Sequence, residues 1–374
     1  MVTPAYDSSH DGRTPDGTRR PPAPTPGAPA APSGPPPTRR PTITDVAKAA
    51  GVSIAVVSYA LNGRPGVSAA TRERVLRVAD EFGWRPSAAA RSLRAGPRAV
   101  GLVVDRGTAG PGASATGVLE FVTALQEVLA QRDLALLLQL VDGADAAAHV
   151  YGEWWAERRF DVMVVTDVLI EDPRLDALRR LRAPAVLAGA PAPGHTLAAV
   201  EVDEADASSR IARYLLELGH REVAVVTGPG DLQRTRTRVE RLDHALAAAG
   251  GMLLQEATSG SPEESAAATR RIVTSSHRPT AVVYDNDQMA VAALDVARRT
   301  GLSVPWDLSI VAGQDSALCR LATPSITALP SAQRELGTAT GETVLAVLDG
   351  DAQARRRVEV GALAVRGSTG PRSR

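Results

Sequence analysis

Cysteine is almost missing: one residue, Cys319, in 374. That excludes an intramolecular disulfide framework and fits a reducing compartment. Aromatic residues make up only 3% of the chain, so its cores must be built from Leu, Val, Ile and Ala. No run of about 18 apolar residues occurs, so no membrane-spanning helix and no membrane partner are expected. The Pro-rich, polar N-terminus lacks the apolar core of a signal peptide, and the expected location is the cytoplasm. The six histidines are scattered, and none stands at metal-ligand spacing with another His or Cys, so no metal or other cofactor is expected. Catalytic signatures are lacking too: there is no Gly-x-Ser-x-Gly elbow, no His-Glu-x-x-His and no cysteine beside a base. Carboxylate pairs such as Asp203/Glu204 read as charges at a helix N-terminus. The expectation is a protein that is not an enzyme.

What is present is an ordinary globular balance, 44% hydrophobic and 22% charged, over a length that predicts two or three domains. The formal net charge of zero hides a split. Residues 38–98 carry 11 Arg/Lys against 4 Asp/Glu, whereas residues 99–374 carry 28 against 35. A basic block beside an acidic domain is the footprint of a polyanion reader joined to something else, or a chance asymmetry of the surface.

Residues 1–41 hold 12 of the 27 prolines and almost no large apolar side chain. They cannot bury enough surface to offset chain entropy, and are read as a disordered tail. Three short helices follow over residues 42–84. Thr42 can cap the first, with Asp45 at the capping-box position. Val46, Ala49 and Ala50 form its apolar face, and Gly51 ends it where a positive φ is needed. Ser53 caps a second helix running to Leu61, closed by Asn62-Gly63. Ser68 caps a third, with Val75, Val78, Ala79 and Phe82 at helical spacing. After residue 98 short apolar runs (100–104, 134–140, 162–165, 185–188, 223–227, 281–284 and 308–312) alternate with amphipathic stretches (119–131, 205–218, 239–249, 264–273, 289–300 and 334–348). That alternation predicts parallel sheets covered on both faces.

The tight helix pair around Ala50-Gly51-Val52-Ser53 has helix-turn-helix spacing, which places the second helix in a major groove. The string TITDVAKAAGVSIAVVSYALNGRPGVSAATRERVLRVADEFGWRPSAAARSL resembles the LacI family of bacterial regulators almost position by position. HREVAVVTGP, RPTAVVYDNDQMAVAALDVARRTGLSVPWDLSIVAG, ELGTATGETVLAVLDG and the closing VRGSTGP look like successive blocks of that family's effector domain. The resemblance spans roughly residues 42–371. It implies an all-α three-helix helix-turn-helix domain with a hinge helix, then an α/β two-lobed periplasmic-binding-protein-like domain of two doubly wound parallel sheets. The boundaries are a tail at 1–41, the reader at 42–84, the hinge at 85–97 and the effector and dimerisation domain at 98–371. The chain would cross between lobes three times, with ligand in the cleft at the carboxyl ends of the strands.

Carried over residue by residue, base reading falls on Ile54, Ala55 and Tyr59, and phosphate contact or capping on Thr42, Ser53, Ser58 and Asn62. Ile54 is read two ways, as a base contact or as core, while Val57 is read as core. Many members have Arg where Tyr59 stands, and without it bidentate reading of guanine is lost at that position. Pro86–Leu93 resembles the family hinge helix; eight residues are too few for an isolated helix, so it would order only when two copies pair over DNA. Leu93 would wedge into the minor groove, and Arg91 and Arg94 would hold phosphates. For the sensor, the resemblance puts effector contacts on Arg238, Asp287 and Gln314, the last standing where many members have Asp. Residues 107–118 contain no aromatic, where sugar-binding members often have an aromatic wall. Arg234 and Arg238 share a helix face, which would favour an anionic effector or form a solvated basic face.

The resulting expectation is a sequence-specific transcriptional regulator, a repressor, acting as a homodimer on a pseudo-palindromic double-stranded operator. A small-molecule effector, a sugar or sugar derivative among the candidates, would modulate it. The alternative is a constitutive DNA binder of the same fold with a degenerate sensor. The chain also stops shortly after residue 367 without a leucine-repeat helix, which favours a dimer over a tetramer.

Overall fold

The computed structural model describes residues 41–61, 64–84, 99–107, 115–191 and 194–372, in two compact units divided near Pro86. The expected tail, the hinge with Arg91, Leu93 and Arg94, and Asn62 lie outside the described residues.

The first unit is three helices: α1 (Ile43–Ala50), α2 (Ile54–Leu61) and α3 (Ala69–Glu81). Their ends follow from local chemistry. The Thr42 backbone N–H donates to the Asp45 carboxylate at 2.8 Å, and the Thr42 hydroxyl accepts from the Asp45 N–H at 3.4 Å, a complete capping box. Gly51 takes φ +67° with open space around it, so its role is conformational freedom and not close packing. The sharp turn it makes sets α1 and α2 at 99° to one another, within the helix-turn-helix range. Ser53 and Ser68 accept hydrogen bonds from Val56 and Thr71 and start the next two helices. Val46, Ala47, Ala50, Val57, Ala60, Val75 and Ala79 form the core. Two expected core positions shift: Ala47 is inside and Ala49 outside, and Phe82 is exposed while Trp84 packs against the core. Phe82 is the cap residue beyond the last turn of α3 and has left the helical face.

The second unit contains two wholly parallel sheets among its described residues. Across one sheet the strands run Arg355–Val358, Ala198–Val202, Ala185–Gly189, Val162–Thr166, Ala99–Asp105, Ala135–Val141, and across the other Thr327–Ala328, Ser309–Ala312, Ala281–Tyr284, Glu222–Thr227, Met252–Ala257. In the first lobe β1 (Ala99–Asp105), β2 (Ala135–Val141), β3 (Val162–Thr166), β4 (Ala185–Gly189) and β5 (Ala198–Val202) alternate with α4 (Ala115–Leu129), α5 (Ala144–Ala156) and α6 (Pro173–Leu181). The chain then enters the second lobe through α7 (Glu204–Glu217). There β6 (Glu222–Thr227), β7 (Met252–Ala257), β8 (Ala281–Tyr284), β9 (Ser309–Ala312) and β10 (Thr327–Ala328) alternate with α8 (Gln233–Ala247), α9 (Pro262–Thr274), α10 (Asp287–Arg299) and the short α11 (Ala317–Leu321). It returns to the first lobe with α12 (Gln333–Leu348) and β11 (Arg355–Val358). A last crossing brings the C-terminal segment back to the second lobe. There Ala364 pairs with Ala328, and the buried Ser368 donates to the Ile310 carbonyl at 2.6 Å.

Strands such as AVGLVVD and AVVY are buried on every residue, as expected where helices cover both faces of a parallel sheet. Each lobe therefore has two apolar layers. Helices α4 and α12 pack tightly: a Cβ at Gly337 would fall on the Phe121 carbonyl, and one at Gly341 would come within 2.7 Å of Val128. Two small residues one turn apart on α12 let the two helix backbones approach, which fixes where α4 meets the cleft.

Candidate DNA-reading helix and effector cleft

α2 has two sharply different faces. Val57 and Ala60 are buried in the three-helix core, whereas Ala55, Ile54 (47% exposed) and Tyr59 (43% exposed) look out. Ile54 lies outside the core cluster. Ala55 and Tyr59, four residues apart, share one face. Ser53 is exposed and Ser58 half-buried beside them, and Thr42 is exposed at the start of α1. Ile54, Ala55 and Tyr59 together leave the outward side of α2 open to contact. The helix itself, IAVVSYAL, has no charged side chain.

The second candidate site is the cleft between the lobes of the α/β unit, at the carboxyl ends of the strands. The first lobe contributes Leu102, Val104, Val118, Phe121, Asp167 and Gly189, and the second Glu204, Arg234, Arg238, Ser259, Asp285, Asn286 and Gln314. Arg238, on α8, is 7% exposed. Its Nη1 donates to Asp285 Oδ1 at 2.7 Å and its Nη2 to Glu204 Oε2 at 2.9 Å. Burial works against its charge, but the two carboxylates outweigh that and raise its pKa further above the ordinary arginine range. Its Nε is buried without a hydrogen-bond partner among the described residues. Such an orphaned donor in a cleft is a natural point of attachment for a bound molecule. Asp285 also accepts from the Gly228 N–H at 2.7 Å, which fixes the Gly228-Pro229 turn. Gly313 backs this arrangement: a Cβ there would come within 2.8 Å of the Asp285 carbonyl and 3.1 Å of Arg238 Nη1.

Gln314 lines the cleft, and its Nε2 would lie 2.8 Å from a Cβ at Gly117, at the N-terminal end of α4 in the opposite lobe. Glycine at 117 is therefore what lets the lobes meet at this edge. Asp287 is not among the lining residues. It sits 1% exposed in the first turn of α10, its Oδ1 accepting from the Gln288 N–H. The reason is geometric: β8 ends at Tyr284, so Asp285 and Asn286 occupy the strand's mouth, and by Asp287 the chain has turned into the helix. Asp285 and Glu204 were not picked out from sequence as site residues. The only signal for Glu204 was a helix-end charge, and that helix end opens into the cleft.

Arg234 is likewise spoken for, 3.4 Å from Asp167. The described lining thus sets two arginines against three carboxylates, so Arg234 and Arg238 do not form an unopposed basic face. Phe121 is the one aromatic among those lining residues. On the far side of the cleft the lobes touch through backbone. The Ile170 N–H donates to the Asp231 carbonyl at 2.8 Å, and the Gln233 N–H to the Val168 carbonyl at 2.9 Å, around a Leu169–Leu232 bridge.

Residues 42–87 match the family described as bacterial regulatory proteins, lacI family, and residues 212–369 match a periplasmic binding protein-like domain. The HTH-type transcriptional repressor PurR of Salmonella newport (strain SL254) is 30% identical over 302 residues, covering 79% of this chain and 87% of the relative. A solved complex of the transcriptional regulator CelR with cellobiose is 27% identical, with a TM-score of 0.65 over 88% of this chain and 100% of that one. The lac repressor dimer bound to operator and the anti-inducer ONPF, at 22% identity, shares the fold with a TM-score of 0.78 over 89% of this chain and 100% of that one. Helix-turn-helix geometry, the two-lobed parallel-sheet unit and these likenesses agree: the chain belongs to the lacI family of bacterial regulatory proteins, DNA-binding transcriptional regulators that join a helix-turn-helix unit to a periplasmic-binding-protein-like domain.

Proposed function

We propose that this regulator is a cytoplasmic repressor that binds a pseudo-palindromic operator as a homodimer and has no catalytic activity of its own. The observation that carries the reading is the outward face of α2, where Ile54, Ala55 and Tyr59 are exposed while Val57 and Ala60 anchor the helix. Thr42, Ser53, Ser58 and Asn62 contact phosphate or cap helices at the groove edge. Residues 85–97 form the hinge, with Leu93 as wedge and Arg91 and Arg94 on phosphates. The dimer is supported by an unpartnered apolar face on the edge strand β2, where Leu138 and Leu140 are 50% and 51% exposed and Leu119 of α4 is exposed as well.

The effector is a small uncharged or weakly basic molecule held between the lobes, with Arg238 and Gln314 as contacts from the second lobe and Glu204 and Asp285 as partners of the arginine. Lobe closure changes the spacing of the hinges, and ligand acts only through its different affinity for the two arrangements. Selection of bound fragments from the source genome, repeated with a panel of neutral and anionic small molecules, tests both halves. One enriched palindromic motif, released or tightened by a neutral compound, is the expected result. Absence of any enriched motif would overturn the regulator reading. A motif that no compound moves would replace the sensor reading with a constitutive DNA binder.

A further inference from the structure

α2 presents an unusual problem for a DNA reader. It carries no charged side chain, so it has no guanidinium or ammonium of its own to place on a guanine. The chain supplies one immediately afterwards. Arg64 follows α2 in the turn toward α3, and its backbone is fixed at both ends. Its N–H donates to the Tyr59 carbonyl at 3.0 Å, and its carbonyl accepts from Arg72 Nη2, on α3, at 2.7 Å. With the backbone so held, the Arg64 guanidinium carbon sits 5.8 Å from the centroid of the Tyr59 ring, within cation–π reach. Arg64 is exposed, and among the described residues no carboxylate pairs with it.

We propose that Arg64, seated on the Tyr59 ring, reads a guanine in each operator half-site. The inference rests on the operator-binding reading above. A guanidinium held over a ring turns one face toward it and keeps its N–H rim free. The rim is the part that makes the bidentate contact to guanine O6 and N7 in the major groove. The ring also removes much of the side chain's rotamer freedom, so less entropy is lost when the contact forms. Tyr59 is then a positioning residue for Arg64, besides being a contact in its own right. Arginine would thereby enter the groove from the turn after the helix instead of from the helix surface.

The test is selection of binding sites from randomised duplexes by the full chain, comparing wild type with Arg64→Ala, Arg64→Lys, Tyr59→Phe and Tyr59→Leu. Arg64→Ala is expected to lose preference at one guanine position per half-site. Affinity for the selected site should fall roughly 10- to 100-fold while affinity for random DNA changes little. Arg64→Lys keeps the charge but not the fork, so it should relax the same position. Tyr59→Phe should keep the preference, and Tyr59→Leu should weaken it at the position that Arg64 governs. A uniform loss over all sequences in Arg64→Ala, rescued by Arg64→Lys, would make Arg64 a phosphate contact and overturn the proposal. So would an unchanged preference in Arg64→Ala. If wild type itself selects no sequence, the operator-binding reading falls together with this one, which separates the two failures.

Discussion

Arg174 is a charged side chain buried inside the α/β unit, 2% exposed, and it shows how much one residue can hold. Its Nε and Nη2 form a fork on Asp172, and Nη2 also donates to the Asp167 carbonyl at 2.7 Å. Burial pulls its pKa down, but the Asp172 hydrogen bonds and nearby charges reverse that and keep it fully charged. Beside it, burial pushes the Tyr151 phenol up to about 12. This cluster sets the loop that touches the second lobe across the cleft. Arg174→Met should leave Asp172 as an uncompensated buried carboxylate and cost about 3–5 kcal/mol. Urea unfolding followed through Trp154 and Trp155 would measure it; a loss well under 1 kcal/mol would mean the loop is held by something else. His220 gives a pH prediction. It is buried, with Nδ1 2.8 Å from the Thr280 hydroxyl and Nε2 3.0 Å from the Gly370 carbonyl. Burial, and then the Arg372 charge, hold its imidazole below the ordinary value, the Gly370 carbonyl opposing them. A depressed folded pKa favours the neutral form, so its contribution is complete above about pH 6.5 and fades as pH falls below that. The melting temperature of wild type should therefore drop between pH 7 and pH 5 more steeply than that of His220→Gln. Parallel curves for the two proteins would sink the assignment.

At the scale of elements, the three helices of the first unit were legible because their ends are written in local chemistry. A Thr–Asp capping box, a glycine that must take positive φ, and two serine caps each need only neighbouring residues. The elements of the α/β unit that pattern reading passes over are those whose reason is not local. β11 reads as RRRV and is exposed on three of its four residues, so nothing in its side chains announces a strand; its backbone pairs with β5. β7, MLLQEA, is a sheet edge with a mixed exposure pattern. The first two turns of α8, QRTRTR, look like a polar loop until Arg238 is seen bracketed by carboxylates from two other elements. The hinge, outside the described residues, is predicted from its sequence alone. Leu93→Ala should weaken specific binding about tenfold or more and reduce DNA bending, with non-specific binding barely changed, because a wedge acts by unstacking one base step. Arg91→Ala should lower both affinities and flatten the salt dependence by about one phosphate contact. Titrations at two salt concentrations distinguish them; if Leu93→Ala leaves specific affinity and bending untouched, residues 86–93 are a linker only.

At the scale of the whole molecule, the prediction concerns assembly. The proposed face for a second copy is the exposed leucines of β2 and α4. Replacing Leu138 and Leu140 by Glu should raise the dimer dissociation constant by about 10-fold or more, from the apolar burial of two leucines. Operator binding should fall with it, since two half-sites need two readers. Sedimentation at micromolar concentration measures this directly. An unchanged dimer would place the interface elsewhere, and a stable wild-type tetramer would contradict the dimer itself.

The sequence alone determined the order of parts and the fold class, because helix caps, glycine turns and buried apolar runs act through near neighbours and through periodicity. The helix-turn-helix spacing around Gly51 likewise pointed to α2 as the helix for a major groove. Only the tertiary structure decided which polar residues share the cleft. Asp285 lines it and Asp287 does not, although they are two positions apart, because the strand ends between them and the helix begins. Only the tertiary structure decided that Arg234 and Arg238 are already neutralised. Their carboxylate partners come from Asp167, Glu204 and Asp285, dozens of residues away, and charge pairing in a buried cleft depends on distance in space, which a periodic pattern along the chain does not encode.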